Sequence, residues 1–164
     1  MCQDHPRLST LLAAAAVLLP PLPAMAAPDD ASPVLSYVRY EDAFNRGQID
    51  TALEQFTDDA LVIAGPACTA EAPCIGKAAI REGLLARFTA VNIAVRIREI
   101  QFDGTHLRTR VEIATDPLRK AGYTRVVGND NLEFRNGKIA SLVFVLDRSD
   151  GQTLRWATPP AKKP

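Results

Sequence analysis

The sequence predicts an α+β fold, with helices gathered in its first half and packed on one face of a strongly curved, mainly antiparallel sheet made by its second. Three observations predict it. Before residue 90, apolar residues recur at helical spacing in three places. After residue 92 they alternate with charged residues, as in half-buried strands. Two turn dipeptides, Asp103-Gly104 and Asn136-Gly137, cut that second half into hairpin-length pieces. A chain of 164 residues suits one domain, which we place at residues 33–150.

The elements follow in order. Pro33 suits the first turn of a helix. Val34, Tyr37, Val38, Tyr40, Ala43 and Phe44 give that helix its face, and Gly47 ends it. Asp50 is read as the cap of a short second helix carrying Ala52, Leu53 and Phe56, followed by a turn at Asp58-Asp59. Leu61-Val62-Ile63 reads as a short apolar strand. Lys77 to Phe88 reads as a third helix, with Ala78, Ile80, Leu84, Leu85 and Phe88 along one side. Ile93, Val95 and Ile97 then alternate with Arg96 and Arg98. The apolar phase slips to Ile100 and Phe102, which predicts a bulge near Arg98–Glu99. Leu107 to Ile113, Tyr123 to Phe134 and Ile139 to Leu146 complete a four-stranded meander, with a connection beginning at Asp116-Pro117. Residues 151–164 read as a C-terminal tail, disordered over its Pro/Lys-rich end. A sheet bent in this way makes a cone whose mouth is a natural ligand pocket.

The first 26 residues read as an export signal. Leu8 to Leu19 is mostly apolar, Pro20 to Pro23 breaks any helix, and Ala24-Met25-Ala26 supplies small residues at a cleavage site. The apolar run is too short to span a bilayer, which takes roughly 20 residues. A polar linker covers 27–32. The expected location is therefore periplasmic or secreted, with no integral membrane segment in the mature chain. Removing the signal leaves Cys68 and Cys74, both in one polar loop. In an oxidising compartment the pair suggests a disulfide, worth roughly 2–3 kcal/mol by loop closure; two free thiols are the alternative.

Composition excludes several classes. Lys and Arg number 19 against 19 Asp and Glu, without the basic excess that a nucleic-acid binder uses against phosphates. Two His and so few Cys do not favour a metal site. No Gly-rich phosphate loop and no Ser/His/Asp arrangement is evident, and no cofactor is implied. His106, beside a tight turn, reads as a solvated loop residue.

Asp130 stands out. Along its strand it shares a face with Val126, Gly128, Leu132 and Phe134. A carboxyl there must be protonated, paired or hydrogen-bonded. Either it is a pocket acid with a raised pKa that donates a hydrogen bond to a ligand oxygen, or it is a structural carboxyl held by the backbone or turned to solvent by a bulge. Tyr40 could send its hydroxyl to the same place, with Tyr37, one turn earlier, read as packing. Phe44, Phe88, Leu132 and Phe144 are core residues that also line the cone. Arg96, Arg98, Arg108 and Arg110 mark the outer face of paired strands, or a homodimer face.

Several strings carry a family resemblance: Tyr40-Glu41-Asp42-Ala43-Phe44-Asn45-Arg46-Gly47, Phe56-Thr57-Asp58-Asp59-Ala60, Ile75-Gly76-Lys77-Ala78-Ala79-Ile80, and Asn131 to Ile139. Over Val34 to Arg148 the chain resembles the SnoaL-like branch of the nuclear-transport-factor-2-like (NTF2-like) superfamily, which includes polyketide cyclases and ketosteroid isomerase. The resemblance implies the NTF2-like cone. It also implies an oxyanion hole pairing a first-helix Tyr with a protonated late-strand Asp, and Tyr40 and Asp130 fall at those positions. The family's general base is an Asp on the first strand, and Ala64 stands there instead. This departure weighs against isomerisation, which needs a base within reach.

The expectation is thus an exported SnoaL-like protein whose apolar pocket binds a small apolar or aromatic organic molecule through Tyr40 and Asp130, with Phe44, Phe88, Leu132 and Phe144 lining it. One alternative is an isomerase, cyclase or dehydratase working through an enolate-like intermediate, its base drawn from Asp59, Glu112 or a bound water. The other is a non-catalytic interaction module using the sheet face. A deep pocket favours the catalytic or binding readings, and a plugged cone favours the module.

Overall fold

The structure, a computed structural model, describes residues 32–158. The export signal expected over 1–26, most of the linker and the last six residues lie outside the described residues. Helix α1 (Pro33–Asn45) starts on its proline and is followed by α2 (Ile49–Glu54). Asp50 lies inside the first turn of α2 rather than at its cap, which is Gln48, and it pairs instead with Arg81.

Phe56 does not close α2. It opens β1 (Phe56–Ile63), where it is fully buried and partners Ile139 across the sheet. Asp58-Asp59 is correspondingly no turn but the middle of β1, where the register with the neighbouring strand shifts between Phe56 and Leu61. The irregularity turns both carboxylates to solvent, where Lys77 meets Asp58 at 2.8 Å and Arg135 meets Asp59.

The cysteine loop leads to a two-residue strand β2 (Cys74–Ile75) and one continuous helix in three parts: α3 (Gly76–Ile80), a π-helical turn (Arg81–Leu85) and α4 (Ala86–Thr89). Cys68 and Cys74 are disulfide-bonded. The bridge lies against the π-helical turn at Gly83, where a Cβ would come within 2.4 Å of Cys74 Sγ. Only glycine fits there, so helix and loop are locked face to face.

The remaining strands are β3 (Ala94–Phe102), β4 (His106–Ala114), β5 (Val126–Arg135) and β6 (Lys138–Leu146). Their register shifts between Ile97 and Glu99, at the phase slip seen in the sequence. Asn136 and Gly137 both have positive φ, as a tight two-residue hairpin requires. Two short helices complete the chain, α5 (Asp116–Lys120), capped by Thr115, and α6 (Gly151–Ala157), capped by Asp150. Tyr123 to Arg125 belong to the crossing from α5 rather than to β5; Thr124 and Arg125 are tied to Gln152 of α6. The six strands form one curved, open sheet in the order β2-β1-β6-β5-β4-β3. All neighbours are antiparallel except β1 and β6, which run parallel.

One face of this sheet holds the core. Leu107, Leu132 and Leu142 sit in one cross-strand row, flanked by Val62 and Val111, and all are buried. Helix α1 lays Tyr37, Tyr40, Glu41 and Phe44 onto it, the i, i+3, i+4, i+7 stripe of an amphipathic helix. Asn45 at its end bonds both the N–H and the C=O of Val95, which fastens α1 to the edge strand β3.

Candidate functional site

The sheet's inner face carries one polar row. Thr109 on β4, Asp130 on β5 and Phe144 on β6 are direct cross-strand neighbours. Thr109 and Asp130 are buried, Asp130 being 5% exposed. Tyr37 descends onto this row from α1 and donates to Asp130 Oδ2 at 2.7 Å, while its oxygen lies 2.9 Å from Thr109 Oγ1. With Tyr37's single proton committed to Asp130, the Thr109 hydroxyl donates to Tyr37, and the three groups form a chain.

Tyr40 sits elsewhere. Its ring stacks on Phe44 (5.7 Å between centroids, 18° between planes) and meets Phe56 edge-on at 5.1 Å. Its hydroxyl makes no hydrogen bond among the described residues, so Tyr37, and not Tyr40, is bonded to Asp130. The helical offset explains this: three residues on, Tyr40 lies about 60° short of a full turn from Tyr37, and only one of them can point down the sheet to β5.

A second acid joins the cluster. Glu41, one turn after Tyr37, is 5% exposed, and its Oε2 is buried without a hydrogen-bond partner. Burial raises its pKa well above the usual range, the Asp130 charge adds to the rise, and the Tyr37 hydroxyl opposes it. Burial likewise pushes Asp130 up to about 6, against the hydrogen bond from Tyr37 and the neighbouring Thr109 hydroxyl, which favour its ionised form. Both phenols are driven upward, first by burial and then by the two acids, so Tyr37 and Tyr40 stay protonated. The sequence carried a signal for Glu41: it falls on the same helical stripe as Tyr37, Tyr40 and Phe44.

Such a cluster can do one thing chemically that a solvated acid cannot. At least one of two close carboxyls in an apolar surround is neutral near pH 7 and able to donate a hydrogen bond or a proton. Ala64, at the position of the missing base, is buried and apolar. Phe88 lies next to it, its ring against Gly65 and edge-on to Phe44 at 6.4 Å. Asp59 is exposed and held by Arg135, and Glu112 faces the opposite side of the sheet from Asp130; neither reaches the cluster. Phe44 and Leu132 are buried in the core, and Phe88 and Phe144 pack against it half-buried.

The cluster's own groups are buried. Two cavities, of about 360 and 140 Å³, open instead on the outer face of the sheet, one lined by Arg96, Glu112, Arg119 and Arg125, the other by His106, Arg108, Asn131 and Glu133 among others. Among the described residues no three His, Cys, Asp or Glu side chains converge as metal ligands, and no helix is long and apolar enough to cross a membrane.

Comparison with known proteins gives a consistent result. The profile of the SnoaL-like domain matches residues 37–142. A candidate polyketide cyclase from Sinorhizobium meliloti is similar in structure, with 24% identity, a TM-score of 0.57, and coverage of 67% of this chain and 93% of that one. The epoxide hydrolase/cyclase-like enzyme SalBIII of salinomycin pyran-ring formation has a TM-score of 0.59 at 20% identity, covering 72% and 92%. An NTF2-like protein of unknown function from Cytophaga hutchinsonii has a TM-score of 0.55 at 10% identity, covering 72% and 92%. At these identities the structural likeness speaks for the fold alone. No curated protein matches the sequence at a significant level.

Proposed function

The chain belongs to the SnoaL-like domain family, and from that premise we propose that it binds a small oxygen-bearing organic molecule on the inner face of its sheet and presents a neutral carboxyl to the ligand's oxygen. The carrying observation is the orphaned Oε2 of Glu41 beside the Tyr37–Asp130 pair. A buried carboxyl oxygen without a partner costs roughly 1–3 kcal/mol, and a ligand oxygen placed there removes that cost. Tyr37 positions Asp130, the aromatic residues Tyr40, Phe44 and Phe88 form an apolar wall, and Phe144 covers the far side.

With alanine at position 64, the reading favours hydrogen-bond donation or acid-assisted ring closure or opening over proton shuttling. Cleavage after Ala26 and export to an oxidising compartment are part of the same proposal, supported by the Cys68–Cys74 bridge.

The test is a fluorescence titration with 2-naphthol, whose oxygen mimics an enolate, on the wild type and on Tyr37→Phe, Asp130→Asn and Glu41→Gln. Binding that weakens about tenfold or more in Glu41→Gln and Asp130→Asn supports the proposal. Absence of wild-type binding refutes it and favours the second reading, a non-catalytic interaction module. Ile75 and Val145, which are apolar, exposed and on the sheet's outer side, support that second reading.

A further inference from the structure

The larger cavity lies on the outer face of the sheet, away from the acid cluster, and its shape follows from the strand pairing. Ala94 and Ala114 are cross-strand partners, and the next pair on the same face is Arg96 with Glu112. Two methyl groups therefore make a low floor beside a row of long side chains. Arg119, from α5, and Thr124 and Arg125, from the crossing into β5, supply the remaining wall. The hollow is open to solvent on one side, and its volume, about 360 Å³, falls within the range of small-molecule sites.

The wall is cationic. Glu112 is its one acid, and that charge is met twice, by Arg98 Nη2 at 2.6 Å and by Arg125 Nε at 3.2 Å. Arg125 also gives Nη1 to Asp150 at 3.1 Å, and Arg119 gives Nη2 to Asp116 at 2.5 Å. Asp116 is itself shared with Asn92. Arg96 makes no ion pair or hydrogen bond among the described residues, although it stands directly opposite Glu112. A guanidinium has five N–H donors in a planar fork, so most of the donors around this hollow are unengaged. The bidentate geometry of arginine suits a planar carboxylate or a phosphate.

We propose that this cavity binds a small organic anion, its carboxylate or phosphate group held by Arg96, Arg119 and Arg125 and its short carbon skeleton resting on Ala94 and Ala114. The site is separate from the inner face and independent of the ligand proposed there. It is the opposite in character, wet and cationic where the other is dry and acidic.

Isothermal titration with succinate and with inorganic phosphate tests the proposal, in a background of sodium chloride held at constant ionic strength. The two arms separate carboxylate from phosphate recognition. Wild type binds at least one of them with a Kd below about 1 mM. Arg96→Ala weakens that binding about tenfold or more, with Arg96→Lys intermediate because it keeps the charge and loses the fork. Arg87→Ala, an exposed arginine of α4 outside the cavity, binds as wild type does. Arg96 acts on Glu112 only through its charge, and Glu112 keeps its ion pairs with Arg98 and Arg125; the thermal midpoint of Arg96→Ala, measured beside the titration, should stay within a few degrees of wild type, which separates a loss of binding from a loss of fold. The proposal is overturned if neither anion binds, or if Arg96→Ala binds as well as wild type.

Discussion

Asp130→Asn is the sharpest test of the buried acid cluster. A carboxyl with a folded pKa near 6 against an ordinary 3.8 holds its proton more tightly in the folded state. Its stabilising contribution is therefore complete below about pH 3.8 and is lost as pH rises through about 6. At about 1.4 kcal/mol per pH unit the full loss is about 3 kcal/mol, of which about 1.4 kcal/mol falls between pH 5 and pH 7.5. Glu41 is raised too and acts with the same sign. The carboxylates held low by surface partners, such as Asp150 at about 2 beside Thr153 and Arg125, act with the opposite sign but titrate below this window. Wild type should thus be more stable at pH 5 than at pH 7.5, the reverse of ordinary acid sensitivity. In Asp130→Asn the difference should shrink by about 1.4 kcal/mol or more, because removing the Asp130 charge also relaxes Glu41. Urea unfolding at the two pH values, followed by far-UV circular dichroism and by the fluorescence of Trp156, measures this. A wild type no more stable at pH 5 than at pH 7.5, or a variant with the wild-type difference, would refute the reasoning.

Other expectations are simpler. Thr109→Val removes a hydroxyl that favours ionised Asp130, so the Asp130 pKa should rise further, as read by NMR titration of the side-chain carboxyl. Replacing Cys68 and Cys74 together by Ala opens a loop with a sequence separation of 6 and should cost about 2.4 kcal/mol in urea unfolding. Gly83→Ala drives a Cβ into both sulfurs, at 2.4 and 2.9 Å, and should cost about 1–3 kcal/mol; in the cysteine-free background the cost should fall, which a double-mutant cycle detects. Leu132→Ala, at a position 1% exposed in the central row, should lower stability by about 2–5 kcal/mol without changing the circular dichroism spectrum.

Much of the architecture was legible in the sequence because it rests on period and turn chemistry. The first helix, the bulge after Ile97, the Asn136-Gly137 hairpin and the isolated acid on the Val126–Phe134 face are all local patterns. What was not legible depends on partners distant in the chain. Phe56 continues the apolar spacing of α2, and only its pairing with Ile139 makes it a strand residue. Asp58-Asp59 has the composition of a turn, and only the pairing with β6 on either side of it, at Phe56 and from Leu61 onward, makes it part of a strand. The choice between Tyr37 and Tyr40 was decided by the azimuth at which α1 meets the sheet, which Asn45 and Ser36 set through bonds to Val95 and Gly137. Glu41 shares the α1 stripe, but a single acid on a helix is ordinarily solvated, so spacing alone does not reveal that it is buried. Helix α6 and the α5 turn were hidden by their brevity.

The parallel pairing of β1 with β6 has a kinetic consequence. Phe56 must wait for Ile139, and Ser36 for Gly137, which lies 101 residues after it. During synthesis from the N-terminus the first strand has only the two-residue β2 as a neighbour, and an emerging chain has no lid for its aromatic stripe until nearly the last strand has left the ribosome. Long-range closure of this kind slows folding and prolongs exposure of the apolar surface. Glu41 and Asp130 therefore spend that interval solvated and charged, and burial of Glu41, whose pKa it raises well above the ordinary range, is the event that draws a proton from solvent into the folding chain.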